Sequence, residues 1–119
     1  MTEEAIARAK AAFEIEAREI YRAGEVMDMQ AFSQAVDALK SAPRIGASGC
    51  GHSGIACRHF AHLMCCIERP ARFISPAEAV HGAAGFLQKG DVIVLVSRGG
   101  KTSELLPIAQ ISRSKACLS

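Results

Sequence analysis

Asp91-Val92-Ile93-Val94-Leu95-Val96-Ser97 is the stretch that decides the fold. Five consecutive β-branched or leucine residues without polar alternation predict a strand buried on both faces, the habit of a parallel sheet covered by helices. Working back from it, Arg44–Ser48 and Arg72–Ser75 are further strand candidates. Between them Ile55–Glu68 is apolar at helical spacing and stops before Pro70. Pro76 opens a loop or short helix that runs to His81-Gly82. Beyond Ser97, Arg98–Lys101 reads as a turn and Thr102 onward as a helix, with Pro107 expected to strain its first turns. Strand, helix, strand, loop, strand, helix is a doubly wound α/β pattern with a parallel, flavodoxin-like sheet. Three strands are few for an open sheet, and a fourth would begin at Ala116-Cys117-Leu118. The expected fold is therefore the front half of a larger domain, or a unit completed by a partner.

Ahead of these elements, residues 1–43 read as a helical segment and 44–119 as the α/β domain. Ile6, Ala9, Phe13, Ala17 and Ile20 recur at helical spacing, with Thr2 as a possible N-cap and Gly24 as a possible break. Phe32, Ala35, Val36 and Leu39 make a second stripe, closed by Ser41-Ala42-Pro43. Such stripes on so short a chain suit packing on a second copy as well as on the chain's own core.

With 119 residues, the chain is expected to form one domain; half of it is hydrophobic and 22% charged, which excludes a disordered chain. No apolar run approaches the roughly 18 residues of a membrane helix, and the acidic start Thr2-Glu3-Glu4 is unlike a signal peptide. The five cysteines are odd in number, two of them adjacent (Cys65, Cys66), which argues for reduced thiols in a cytoplasmic protein. Residues 1–43 hold eight acids and five bases, a balance of −3, whereas residues 44–119 hold four acids and nine bases, a balance of +5. A basic half invites an anion. Scarce aromatic residues favour a small one over nucleic acid, and residues 1–43 are too short and acidic for a DNA-binding domain.

Two glycine loops leave strand ends, Ser48–Gly54 and Ser97–Ser103. In a flavodoxin-like order their strands are neighbours, so both loops face one crevice, with helix N-termini and hydroxyls to hold an anion. Gly49, Gly51 and Gly54 fit G-x-G-x-x-G, the dinucleotide pattern, but Phe73-Ile74-Ser75-Pro76 stands where that pattern needs an acid, and the nearest is Glu78. Leu95–Thr102 fails as a nucleotide P-loop because Leu95 replaces its first glycine. A phosphate site without a nucleotide signature is what remains.

These motifs resemble the SIS (sugar isomerase) domain family, closest to the arabinose-5-phosphate isomerases, over Arg44–Ser119. The family's G-x-G-K-S-G is matched by Gly49-Cys50-Gly51-His52-Ser53-Gly54, its H-G step by His81-Gly82, and its S-x-S-G-E-S-x-E by Ser97-Arg98-Gly99-Gly100-Lys101-Thr102-Ser103-Glu104. The resemblance implies that Ser53, Ser97 and Thr102 hold a sugar phosphate, with main-chain groups near Gly99 and Gly100, and that His81 lies over the sugar. It also implies homodimers or homotetramers built through the N-terminal helices, and further catalytic residues in a second half beyond Ser119. His52 replaces the family lysine, Gly99 a serine and Lys101 a glutamate.

The expected activity is aldose–ketose isomerisation of a sugar phosphate, such as ribulose 5-phosphate to arabinose 5-phosphate, with no metal or organic cofactor. Such chemistry needs a base near neutral pKa, and His81, Glu104 and Glu78 are the candidates. Ser48, Gly51, His52, Ser53, Ser97, Arg98, Gly99, Gly100, Lys101 and Thr102 are the expected substrate-binding residues. A non-catalytic phosphosugar sensor is the rival, favoured by Lys101 in place of the glutamate. His59, His62 and Cys66 share a helical face, but a complete metal site on one helix is not expected, and packing with partial exposure explains them better.

Overall fold

The computed structural model describes residues 2–119. Three strands, β1 (Ile45–Gly49), β2 (Ala71–Phe73) and β3 (Val92–Val96), form a parallel sheet in the order β2-β1-β3. Helix α3 (Gly51–Cys66) connects β1 to β2. The short α4 (Pro76–Ala79) and a 3-10 turn (Ala83–Phe86) lead from β2 to β3. After β3 comes a second 3-10 turn (Ser103–Leu105) and then α5 (Leu106–Ser114).

The two faces of the sheet carry different cores. Ile45 and Ala47 of β1 face α3, where Ala47 packs with Cys57 and Ala61. On the other face Ile74, Leu87, Ile93 and Ile108 make the larger cluster, each burial contributing roughly 1.5–3 kcal/mol. Gly46 points into that second face. A Cβ there would lie 3.0 Å from Leu87 and 3.3 Å from Ile74 and Ile93, so the sheet closes on those side chains only because the position is glycine. At the opposite end from the loops, Asp91 is fully buried, forms an ion pair with Arg44 Nη2 at 3.0 Å, and accepts hydrogen bonds from Arg44 Nε at 3.2 Å and the Gln88 N–H at 2.7 Å.

Leu118 pairs with Val92 as a parallel bridge on the free side of β3: its N–H donates to Asp91 O (3.0 Å) and its carbonyl accepts from Ile93 N–H (2.9 Å). The sheet has three strands, with this single isolated bridge where the sequence suggested that a fourth would begin.

Several local expectations are refined. Helix α3 starts at Gly51, four residues before the first apolar position of its stripe, because Gly51 with φ +55° turns the chain straight from the strand into the helix. In β3 only Val92 and Ile93 are buried, while Val94–Val96 are half-buried, so burial on both faces holds for the start of the strand. Pro107 falls at the first positions of α5, where its missing N–H costs nothing, since the 3-10 turn ends just before it.

Residues up to Ala35 form a separate compact unit, and Val36–Ser119 form the second. In the first, α1 (Glu3–Val26) runs through Gly24 and is capped by Thr2, whose hydroxyl accepts from Ala5 N–H at 3.3 Å. None of its residues is buried among the described residues, and Phe13 and Ile20 of its apolar stripe are about three-quarters exposed. Asp28 caps α2 (Met29–Ser41), accepting from Gln30 and Ala31 N–H at 3.0 Å each. No helix among the described residues is long and apolar enough to cross a membrane.

Candidate phosphosugar site

β1 and β3 pair in register to their ends, Ser48 beside Leu95 and Gly49 beside Val96, so the loops that follow them leave the same edge of the sheet side by side. In the first loop the backbone of β1 touches the first turn of α3. A Cβ on Gly54 would come within 2.6 Å of Gly49 O, and one on Gly49 within 2.9 Å of the Ser53 carbonyl. Both glycines are therefore required by close approach, and they set the N-terminus of α3 hard against the strand. Cys50, at the cap position, makes no side-chain hydrogen bond to the helix, which leaves the first-turn N–H groups and the positive end of the helix dipole to an incoming anion.

The second loop is closed by hydroxyls. Ser97 Oγ and Thr102 Oγ1 are 2.7 Å apart, and the turn between them reverses at Gly100, φ +65°. Arg98, Gly99, Gly100 and Lys101 are exposed at its tip. Glu104 follows in the 3-10 turn and accepts from Ser103 Oγ at 3.1 Å.

A cleft of about 480 Å³ opens at this edge. Gly49, Cys50, Gly51 and Gly54 of the first loop line it, and Glu104 and Pro107 line it from the segment after the second loop. Its remaining wall includes Ile55 and Arg58 of α3, Phe73 at the end of β2 and Ser75 just after it. A second cleft of about 260 Å³ shares Arg58, Phe73 and Ser75 and reaches Arg72 and Glu78. The Arg58 guanidinium lies over the Phe73 ring, 4.0 Å from its centroid, which fixes the charge at the junction of the two clefts.

The expected site residues divide accordingly. Gly51 and Glu104 stand on the cleft wall. Ser53 is half-buried and His52 exposed in the first turn of α3, and Ser97 and Thr102 form the hydroxyl pair after β3; none of the four is on the wall of either cleft. His81 lies exposed in the turn after α4, its N–H bonded to Glu78 O, on the wall of neither cleft. Ser48 is wholly buried, and its hydroxyl has no hydrogen-bond partner among the described residues. Arg58 was not singled out from the sequence, although Gly51, Gly54, Ile55 and Arg58 follow the spacing of one helical face, and that spacing could have found it. Beneath the first loop the Cys57 thiol is pushed above its ordinary pKa, chiefly by burial and in spite of a hydrogen bond with the Val96 backbone.

The chain is similar to several known proteins. A Listeria monocytogenes protein provisionally described as a sugar-phosphate isomerase, solved by crystallography, superposes with a TM-score of 0.92 at 38% identity, over 98% of this chain and 62% of that one. The arabinose 5-phosphate isomerase KpsF of Escherichia coli is 38% identical over 61 residues, 51% of this chain and 19% of that protein. The arabinose 5-phosphate isomerase KdsD of Pseudomonas aeruginosa is 34% identical over 65 residues, 55% of this chain and 20% of that protein. The chain spans about a fifth of the length of the curated relatives it matches. Residues 38–116, from the end of α2 to the threshold of the fourth strand, match the SIS domain, and the chain belongs to that family.

Proposed function

We propose that residues 44–119 bind a sugar phosphate and interconvert its aldose and ketose forms, as between ribulose 5-phosphate and arabinose 5-phosphate. One observation carries this reading: the Ser97–Thr102 hydroxyl pair, with Gly100 turned to φ +65°, follows β3, and the α3 N-terminus follows β1, at the ends of two adjacent parallel strands. Hydroxyls, backbone N–H groups and a helix dipole converging there suit a phosphoryl group. The arabinose 5-phosphate isomerases among the relatives supply the sugar class.

In this reading Glu104, on the cleft wall, takes the proton from the carbon beside the carbonyl. The enediol that results regains a proton on the former carbonyl carbon while a hydroxyl proton passes from one oxygen to the other, so hydrogens are only relocated and no cofactor is needed. Arg58, Arg98 and Lys101 contribute positive charge around the ligand. His81 is assigned ring opening, from its turn after α4. The exposed stripe of α1 supports a homodimer or homotetramer built on the N-terminal segment, and the thiols suit the cytoplasm.

The rival reading, a sensor that binds without turnover, is favoured by Lys101 where the family carries a glutamate. Isomerase activity on ribulose 5-phosphate, measured with calorimetric binding in the same sample, separates the two. Turnover is expected, with kcat falling about a hundredfold or more in Glu104→Gln. Binding without turnover establishes the sensor. Neither binding nor turnover overturns both.

A further inference from the structure

On the outer face of α3, away from the glycine loops, Cys66 Sγ lies 3.6 Å from His62 Nε2, one helical turn earlier, and both residues are exposed. The other thiols have different surroundings. Cys57 is buried, Cys65 donates to Ala71 O at 3.3 Å, Cys117 donates to Gln88 O at 3.2 Å, and Cys50 lines the cleft. Cys66 alone among the described cysteines faces an imidazole.

The spacing of the pair is informative. A tetrahedral ion that holds a thiolate at about 2.3 Å and an imidazole nitrogen at about 2.0–2.1 Å keeps those two donors roughly 3.6 Å apart. His62 and Cys66 already stand at that separation, so an ion could enter without moving the helix. Cys66 is also the last residue of α3, where the negative end of the helix dipole favours a cation. Among the described residues no three or more His, Cys, Asp or Glu are grouped so as to hold a metal ion, so an ion on this pair would complete its coordination with water.

We propose that His62 and Cys66 form a two-ligand clamp for a thiophilic divalent ion of the zinc or cadmium class. On binding, the Cys66 S–H bond breaks and its proton passes to solvent while sulfur bonds the metal. Neutral His62 donates the Nε2 lone pair, its own proton remaining on Nδ1. The clamp ties the last turn of α3 across one i, i+4 step and is independent of the phosphosugar reading.

Cadmium titration of the intact chain, kept reduced with a phosphine, tests it through the ultraviolet sulfur-to-cadmium charge-transfer absorption. One equivalent is expected to raise the band. Cys66→Ser should abolish it and His62→Gln should weaken binding at least roughly tenfold. Cys65→Ser and His59→Gln should leave band and affinity unchanged. All four positions are exposed, so none of these substitutions removes core packing. Absence of the band in the parent chain overturns the clamp. So does a band that survives Cys66→Ser, an affinity unmoved by His62→Gln, or a loss in Cys65→Ser equal to that in Cys66→Ser.

Discussion

The two glycine loops leave the same edge of the sheet and are held in opposite ways. In the first, glycines serve contact: the Gly49 and Gly54 backbones touch, and no side chain fits between them. In the second, glycines serve conformation: nothing lies within 4 Å of where a Cβ would stand on Gly99 or Gly100, and the turn is held by one hydroxyl pair. One loop is fixed by packing before any ligand arrives. The other is a clasp whose two hydroxyls satisfy each other. Under the proposed function those hydroxyls turn to the phosphoryl group, and the ligand meets one rigid loop and one adjustable loop.

Substitutions along the loops can break that contrast. Gly54→Ala places a methyl 2.6 Å from a backbone oxygen that has nowhere to go, and should cost about 3 kcal/mol in urea unfolding. Gly100→Ala meets no atom but must hold φ +65°, so about 1 kcal/mol is expected, with weaker phosphosugar binding by calorimetry. Thr102→Val removes the clasp and should cost about 1 kcal/mol or less in stability, while ligand affinity falls at least as much as in Gly100→Ala. Gly99→Ala, with open space and an ordinary φ, should change stability by less than about 0.5 kcal/mol. A Gly99→Ala penalty as large as that of Gly54→Ala would show that both loops are fixed by packing.

The smallest effect is on pH dependence, and it belongs to the first loop. Burial favours the neutral Cys57 thiol in the folded chain, raising its pKa above that of the unfolded chain. Its stabilising contribution is complete below the unfolded thiol pKa of about 8.5 and is lost as pH rises through the higher folded value. Denaturation midpoints should fall in mildly alkaline solution, and Cys57→Ala should flatten that part of the profile.

The sheet was legible because Val92–Val96 and the two glycine loops are local signals with one physical meaning each. Details that depend on what lies across the fold were not. Nothing in Val94-Leu95-Val96 tells that these residues are only half covered, since coverage is set by how far the helices extend over the strand ends. Gly24 reads as a helix breaker, yet α1 continues past it, because one glycine costs only about 1 kcal/mol and twenty-three other helical residues carry the segment. For the site, the sequence named hydroxyls and glycines by their place after strands. The helical-face spacing offered Arg58, but its partner, the Phe73 ring, belongs to β2 and is not legible from α3 alone. His81 was named by motif, and its motif says nothing of the distance between its turn and the cleft.

The pairing of β1 with β3 has a consequence for how the chain is made. Arg44 and Asp91, which close the base of that pair, are 47 residues apart in sequence. At about 5–20 residues per second, the ribosome delivers Asp91 roughly 2 to 9 s after Arg44. Through that interval the five fully buried residues of β1 have at most the three-residue β2 beside them, with one hydrogen-bonding edge open. The nascent chain passes through a stage in which its most buried strand is its most vulnerable, and slow codons between β2 and β3 would prolong that stage.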